Sequence, residues 1–205
     1  MAIRVIIADD HPVFLLGLRA VLTNLPEEYL IVGEAHDVES LFALLASHPV
    51  DLLITDFSMP GGAAEDGVRM ISRIRSGYPA LPIVVITMIR DQRMLSLLAG
   101  YHVRAVLNKN SLSDELAKGL AAGGEKGEPY FSEMFRGTPA GEHLSGKELE
   151  VLKLLGQGLS VNDIAGRLFR TKQTISAQKI SAMKKLGLTN DAELYRFLDQ
   201  LGLGP

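Results

Sequence analysis

The chain contains no cysteine among its 205 residues. This absence excludes disulfide bonds, thiolate metal ligands and thiol catalysis, and it is compatible with a reducing compartment. The sequence also has no apolar run long enough to span a membrane, and the apolar stretch near its start is too short for a secretory signal peptide. We therefore expect a soluble protein of the cytoplasm.

Several nucleotide and metal signatures are missing as well. The first strand-to-helix turn lacks the Gly-rich fingerprint of dinucleotide-binding proteins. The stretch GEHLSGKE at 141–148 resembles a phosphate-binding loop, but Glu148 stands where that pattern needs Ser or Thr. The five histidines show no metal-ligand spacing. The sequence therefore gives no support for a nucleotide-dependent enzyme, and we assign no catalytic residues.

The length and the charge distribution both divide the chain. A chain of 205 residues with 47% hydrophobic and 22% charged residues suits two small globular domains. Residues 1–124 carry a net charge of −4, whereas residues 142–205 carry +2. Residues 164–190 contain six basic side chains and no acidic one. Such a block is either a solvated face or the electrostatic footprint of a nucleic-acid binder.

Residues 1–122 alternate short apolar, β-branched runs with helix-period segments. Five such repeats predict an α/β domain with a doubly wound, five-stranded parallel sheet. Residues 123–142 are rich in Gly, Glu and Pro and are typical of a linker, with a short ordered piece at Tyr130–Phe131. Residues 143–205 predict a small all-α domain with helices at 146–157, 161–168, 172–186 and 191–201.

Charged and polar residues stand at the predicted strand ends, which share one edge in a parallel sheet. They are Asp9 and Asp10 after the first strand, Asp56 after the third, Thr87 at the fourth and Lys109 after the fifth. Three carboxylates would repel one another, and Mg²⁺ would resolve that repulsion. A lysine and a hydroxyl could then contact a phosphoryl group, and one carboxylate could accept it as an aspartyl phosphate.

The motifs IIADDHP, LLITDFSMP…DG, IVVITM and VLNK resemble the receiver domain of two-component response regulators over residues 3 to 122. The resemblance implies that Asp56 is the phosphoacceptor and that Asp10, Asp56 and the Ser58 carbonyl bind Mg²⁺. It implies that Asp9 binds the ion through water and that Thr87 and Lys109 contact the phosphoryl group.

The chain departs from the usual receiver pattern at four places. The loop between Pro60 and Gly67 is about three residues longer than in most receivers. Met88 follows the switch threonine, where a small residue is common, and would narrow access to the phosphoryl site. Val106 replaces the usual switch aromatic, and Asn110 replaces the proline that often follows the lysine.

The predicted helix 172–186 has two different faces. At about 100° per residue, Ile175, Ala182 and Leu186 share the core stripe. The opposite side includes Gln173 and Ile180, and we expect it to enter the major groove of DNA. We assign phosphate contacts to Lys172, Thr174, Lys179 and Lys184, and base-edge contacts to Ser176 and Ala177. Ile180 is compatible with a thymine methyl contact, with a groove between subunits, or with a tolerated exposed side chain.

Residues 144–203 are similar to the LuxR/FixJ-type helix-turn-helix (HTH), through LSGKE, GLS, IAGRL, TI and KLGL. A receiver followed by this HTH resembles the NarL/FixJ class, and within it the regulators of capsule synthesis. That class implies a phosphorylation-controlled transcription regulator with a histidine kinase or phosphotransfer protein as donor. It also implies promoter DNA as ligand, homodimers, and heterodimers with an auxiliary HTH regulator.

Two alternatives remain open from the sequence. A regulator that binds DNA constitutively could keep the same pocket in a silent receiver. An aspartate-based phosphohydrolase of the haloacid dehalogenase type usually has a second Asp two residues after its nucleophile, but Ser58 stands there. We therefore expect that the chain is not an enzyme.

Overall fold

The computed structural model describes residues 2–60, 67–88, 91–122, 129–136, 143–201 and 203. The chain forms two compact units, one made of residues 1–89 and 102–137 and the other of residues 90–101 and 138–205. Most of the long loop predicted between Pro60 and Gly67, and most of the predicted linker, lie outside the described residues. Within the described part, no helix is long and apolar enough to cross a membrane.

The first unit is built on a parallel sheet with the strand order β2-β1-β3-β4-β5-β6. Its strands are β1 (Ile3–Ala8), β2 (Tyr29–Ala35), β3 (Leu52–Asp56), β4 (Ile83–Thr87), β5 (Ala105–Asn108) and β6 (Tyr130–Phe131). The central strands β3, β4 and β5 are buried along their whole length, which explains their near-continuous apolar sequence. The predicted α/β fold class is confirmed, although the described residues form a sheet of six strands rather than five.

The helices are α1 (Pro12–Thr23), α2 (Val38–Ser47), α3 (Gly67–Gly77), α4 (Gln92–Gly100), α5 (Leu112–Ala122), α6 (Glu133–Arg136), α7 (Gly146–Gly156), α8 (Val161–Arg167), α9 (Lys172–Lys185) and α10 (Asp191–Gln200). Helices α1 and α5 cover one face of the sheet with leucines spaced three or four residues apart. Leu18 and Leu116 are representative of these leucines and are almost fully buried. The leucine spacing therefore fixes which side of each helix faces the sheet.

The sixth strand extends the sheet from within the predicted linker. The Ser132 N–H donates to the Val106 carbonyl at 3.0 Å, and the Asn108 N–H donates to Ser132 Oγ at 2.9 Å. Ser132 Oγ also donates to the buried carboxylate of Glu115, which accepts the Glu133 N–H as well. The short ordered piece predicted at Tyr130–Phe131 is confirmed as β6. A two-residue strand is too short to show a period, so hydrophobic patterning did not identify the piece as a strand of the sheet.

Four helices, α7 to α10, make up most of the second unit. Each helix begins at the residue that the sequence predicted and ends one residue before its predicted end. Ser145, Ser160 and Asn190 each accept a backbone N–H three residues ahead, and Thr171 does the same for α9. The predicted core stripe of α9 is confirmed, since its members are at most 1% exposed.

Candidate functional site

The predicted pocket residues meet at the carboxyl edge of the sheet. Strand β3 lies between β1 and β4, and β5 follows β4. This order brings Asp9, which follows β1, and Asp56, which ends β3, to neighbouring strand ends. Thr87 ends β4 and pairs in register with Asn108, the residue before Lys109. The strand order thus assembles a site from residues that are as much as 100 positions apart.

Lys109 is the electrostatic centre of this site. Its Nζ lies 2.6 Å from Asp56 Oδ2 and 2.7 Å from Asp9 Oδ2. All three side chains are at most 13% exposed. The ammonium also lies 4.8 Å from the ring centroid of Phe14. A single cation therefore pairs with two buried carboxylates and reduces the repulsion between them.

Burial and pairing shift the pKa values of this pair. Burial raises the pKa of Asp56, and its contacts with Lys109 offset that rise only in part. Burial opposes the charged form of Lys109, but hydrogen bonds to Asp56 and Asp9 outweigh it and raise the pKa of the ammonium. Lys109 is therefore held in its charged form beside the carboxylate that the sequence predicts as phosphoacceptor.

His11 joins the acidic cluster, although the sequence pattern did not predict this. The ring Nδ1 of His11 lies 2.6 Å from Asp10 Oδ1 and 3.2 Å from Asp9 Oδ1. The backbone N–H of His11 donates to Asp9 Oδ1 at 2.9 Å. The ring is largely exposed. The signal that could have identified it is its position, directly after the two aspartates.

The acidic cluster has the ligand types and the spacing of a divalent-cation site. One ligand atom from each of Asp9, Asp10, His11 and Asp56 lies within 4.8 Å of all the others. Oxygen donors of this kind suit Mg²⁺. Ser58, whose carbonyl was predicted as a further ligand, donates its N–H to Asp56 Oδ1 at 3.3 Å. The residues present therefore fit the predicted ion.

The approach to Lys109 is an open cavity of about 600 Å³. Met88 lines it together with Phe14, Val13 and Leu112. The Met88 side chain is 54% exposed, whereas Thr87 beside it is buried. Val106, at the position of the usual switch aromatic, is also fully buried. The effect of Met88 on access to the site remains a prediction.

The predicted DNA-contacting residues lie on α9 with three degrees of exposure. Lys172, Gln173, Thr174, Ala177, Ile180 and Lys184 are exposed, Ser176 is half-buried, and the Lys179 side chain is only 13% exposed. Lys179 Nζ lies 2.7 Å from Asp191 Oδ2, so an acidic partner already neutralises it. The structure therefore separates Lys179 from the other predicted phosphate contacts.

Some of the six basic residues between positions 164 and 190 form ion pairs inside the helical unit. Arg170 pairs with Glu150 at 3.2 Å, and Lys185 pairs with the buried carboxylate of Glu148 at 2.9 Å. Arg167, like Lys172 and Lys184, is exposed. Half of the six basic residues between positions 164 and 190 therefore have an acidic partner, and the exposed half carries the positive surface.

Glu148 connects the start of α7 to the recognition-type helix α9. Its carboxylate accepts hydrogen bonds from Ser181 Oγ at 2.6 Å, from the Ser145 N–H at 2.7 Å and from Lys185 Nζ. Desolvation opposes its ionisation, but these donors lower its pKa to about 2. The Glu that closes the capping box of α7 therefore also fixes the position of α9, a role that the sequence did not reveal.

Comparisons with known proteins cover both units. The family model described as the response regulator receiver domain matches residues 5–121, and the model of bacterial regulatory proteins of the luxR family matches residues 142–198. The transcriptional regulatory protein RcsB of Escherichia coli K12 is 39% identical over 98% of this chain and 96% of that protein. The oxygen regulatory protein NreC of Staphylococcus haemolyticus is 29% identical, over 95% of each chain.

Solved structures give the same result. The structure of two RcsB dimers bound to two parallel DNAs has a TM-score of 0.64 and 37% identity, covering 98% of this chain and all of that one. Salmonella Typhimurium RcsB, bound to the promoter P1flhDC with a phosphomimetic, has a TM-score of 0.62 and 37% identity, over 97% and 98% of the two chains. The predicted similarity to the capsule-synthesis regulator RcsB is confirmed.

Proposed function

The chain belongs to the two-component response-regulator family, as a receiver followed by a LuxR-type DNA-binding domain, and we propose that phosphorylation of Asp56 controls its binding to promoter DNA. The observation that carries the proposal is the contact of Lys109 with both Asp9 and Asp56 at the sheet edge. The domains would be residues 1–122, a linker at 123–142, and residues 143–205.

In the proposed phosphotransfer, an Asp56 oxygen forms a bond to phosphorus. The phosphorus–nitrogen bond of a phosphohistidine on the kinase or phosphotransfer protein breaks, and the imidazole nitrogen takes up a proton. Lys109 would then pair with the transferred phosphoryl group, and the Thr87 hydroxyl would donate to it. These roles are supported by the position of Thr87 at the end of the strand next to Asp56, and by the 2.6 Å contact between Lys109 Nζ and Asp56 Oδ2.

Mg²⁺ would be held by Asp10, Asp56 and the Ser58 carbonyl, with Asp9 contacting it through water. When bound, the ion supplies charge neutralisation for the phosphoryl oxygens. The proximity of the acidic side chains supports this assignment. Asp9 would remain a buried carboxylate that shares Lys109 with Asp56.

Phosphorylation would shift the receiver toward a dimer-competent form, and dimers would place two α9 helices at half-sites about one DNA turn apart. Relatives support this step, because RcsB structures contain dimers on DNA and a phosphomimetic with promoter DNA. Homodimers are the primary assembly that we propose, with heterodimers formed with an auxiliary HTH regulator. The chain would act in the bacterial cytoplasm, where promoter DNA is found.

The test is intact mass measurement after incubation with Mg²⁺ and acetyl phosphate, beside an Asp56→Ala control. We expect one phosphoryl increment in the wild type and none in the control. An increment that persists in the control would contradict the assignment of Asp56. If no increment appears with either acetyl phosphate or a phosphorylated histidine-phosphotransfer protein, a silent receiver with constitutive DNA binding becomes the better description.

A further inference from the structure

The exposed side of α9 is apolar at its centre. Ile180 lies near the middle of this 14-residue helix and is 66% exposed. Ile175 and Ala182 on the same helix are fully buried. At about 100° per residue, Ile180 points about 140° away from Ile175 and about 160° away from Ala182. The side chain therefore points away from the core that holds the helix.

Ala177 is the nearest neighbour of Ile180 on this exposed side. The two residues are three positions apart, so they are adjacent on the helix surface. Ala177 is also exposed. Gln173 and Lys184, which lie four positions before Ala177 and four after Ile180, continue the same exposed line. A short apolar strip is thus enclosed by polar and basic groups along one helix face.

The charges around the strip indicate what covers it. Residues 164–190 contain no acidic side chain, and the exposed basic residues there include Arg167, Lys172 and Lys184. A protein surface that buried Ile180 would have to accommodate these cations, whereas the major groove is lined by phosphates on both sides. Helix propensity offers no other reason for the residue, because a β-branched side chain is not favoured on an exposed helix.

The major groove offers one apolar group to such a strip. The C5 methyl group of thymine lies at the edge of its base, whereas the other base edges present hydrogen-bond donors and acceptors. Against cytosine, Ile180 would leave an amino donor without a partner and would find no methyl group to pack against. An isoleucine at the centre of the helix face would therefore discriminate between these two pyrimidines in the groove.

We propose that Ile180, at the centre of the apolar strip that it forms with Ala177, contacts a thymine C5 methyl group in each half-site and is a specificity-determining residue of this regulator. This assignment rests on the proposed DNA-binding function. It adds that a thymine faces the middle of α9 and that the apolar strip, rather than a hydrogen bond, selects it.

The test compares thymine with uracil, which differs in this groove only by the missing methyl group. The full-length protein is used to select duplexes from a random-sequence library, and one recovered duplex is then synthesised with thymine or with uracil at each position in turn. For the wild type, we expect uracil at one position per half-site to weaken binding about fourfold, which is the effect of one methyl group removed from a contact.

The Ile180→Ala variant should bind the thymine and uracil duplexes equally well. Because Ile180 is exposed, this variant should keep the helical circular dichroism of the wild type. Lys184→Ala is the matched control on the same face: it should weaken binding to both duplexes alike and leave the thymine-to-uracil ratio at about fourfold.

Equal binding of thymine and uracil duplexes by the wild type would overturn the proposal. So would a uracil effect that persists in Ile180→Ala, because another side chain would then contact the methyl group. If the library yields no bound duplex even after phosphorylation, the proposed DNA-binding function itself fails, and that outcome is distinct from equal binding of the two bases.

Discussion

The acidic pocket and helix α9 use lysine in opposite ways. In the pocket, the Lys109 ammonium lies between two buried carboxylates, and Lys109 comes from a strand end far from either of them in sequence. On α9, Lys172 and Lys184 are exposed and lie on one continuous helix. The pocket therefore depends on tertiary placement of every member, whereas the candidate DNA-binding face depends on local helical periodicity and on how the helix is held.

Removal of the Lys109 ammonium should have the largest effect. Lys109→Ala leaves the Asp9 and Asp56 carboxylates facing each other in a buried site, so we expect a loss of about 3–5 kcal/mol in unfolding free energy. Urea denaturation without Mg²⁺ measures this change. In the Asp56→Asn background the same substitution should cost clearly less, because one charge of the buried pair is already gone. Equal costs in both backgrounds would contradict the electrostatic coupling.

Glu148→Gln tests how α9 is held. The pKa of Glu148 falls from 4.5 to about 2 on folding, which corresponds to roughly 3 kcal/mol of stability. This contribution is fully present above pH 4.5 and is lost as the pH falls toward 2. We therefore expect the stability difference between wild type and variant to be large at pH 7 and to shrink between pH 4.5 and 2, as measured by chemical denaturation. A difference independent of pH would contradict the assignment.

Ser132→Ala tests what holds β6 at the edge of the sheet. Its hydroxyl connects the Asn108 N–H to the Glu115 carboxylate, and we expect its removal to cost about 1–3 kcal/mol. Hydrogen exchange should become faster at the amides of β6. Ser113→Ala, which removes an exposed hydroxyl from the start of α5, should leave these amides protected. Unchanged exchange in Ser132→Ala would show that strand pairing alone holds β6.

The smallest expected effect is a difference in the salt dependence of DNA binding between variants of two lysines on α9. Lys184→Ala should reduce the slope of log affinity against log salt by about 0.9 for each DNA phosphate that its ammonium neutralises in the wild type. Lys179→Ala should change this slope little, because Asp191 already pairs with Lys179. Affinity measured on one duplex over a range of salt concentrations gives both slopes. If both variants lower the slope equally, the Lys179–Asp191 pair does not survive DNA binding.

The helical unit was largely predictable from sequence. Its helices begin where capping residues such as Ser145 and Ser160 stand, because an N-cap hydrogen bond forms between residues three positions apart. The core stripe of α9 followed from helical periodicity. The sequence did not predict which lysines of α9 are paired with an acidic residue and which are exposed. The acidic partner of Lys185, for example, is Glu148, which lies 37 positions away.

The sequence alone determined which residues stand at the strand ends, and parallel pairing then required Asp9, Asp56 and Lys109 to share one edge. Only the tertiary structure decided that Lys109 contacts both carboxylates, because that depends on side-chain distances. It likewise decided that His11 joins the cluster. Periodicity and capping act over a few residues and are visible in sequence, whereas the pairing of charges depends on distances that only the packed chain defines.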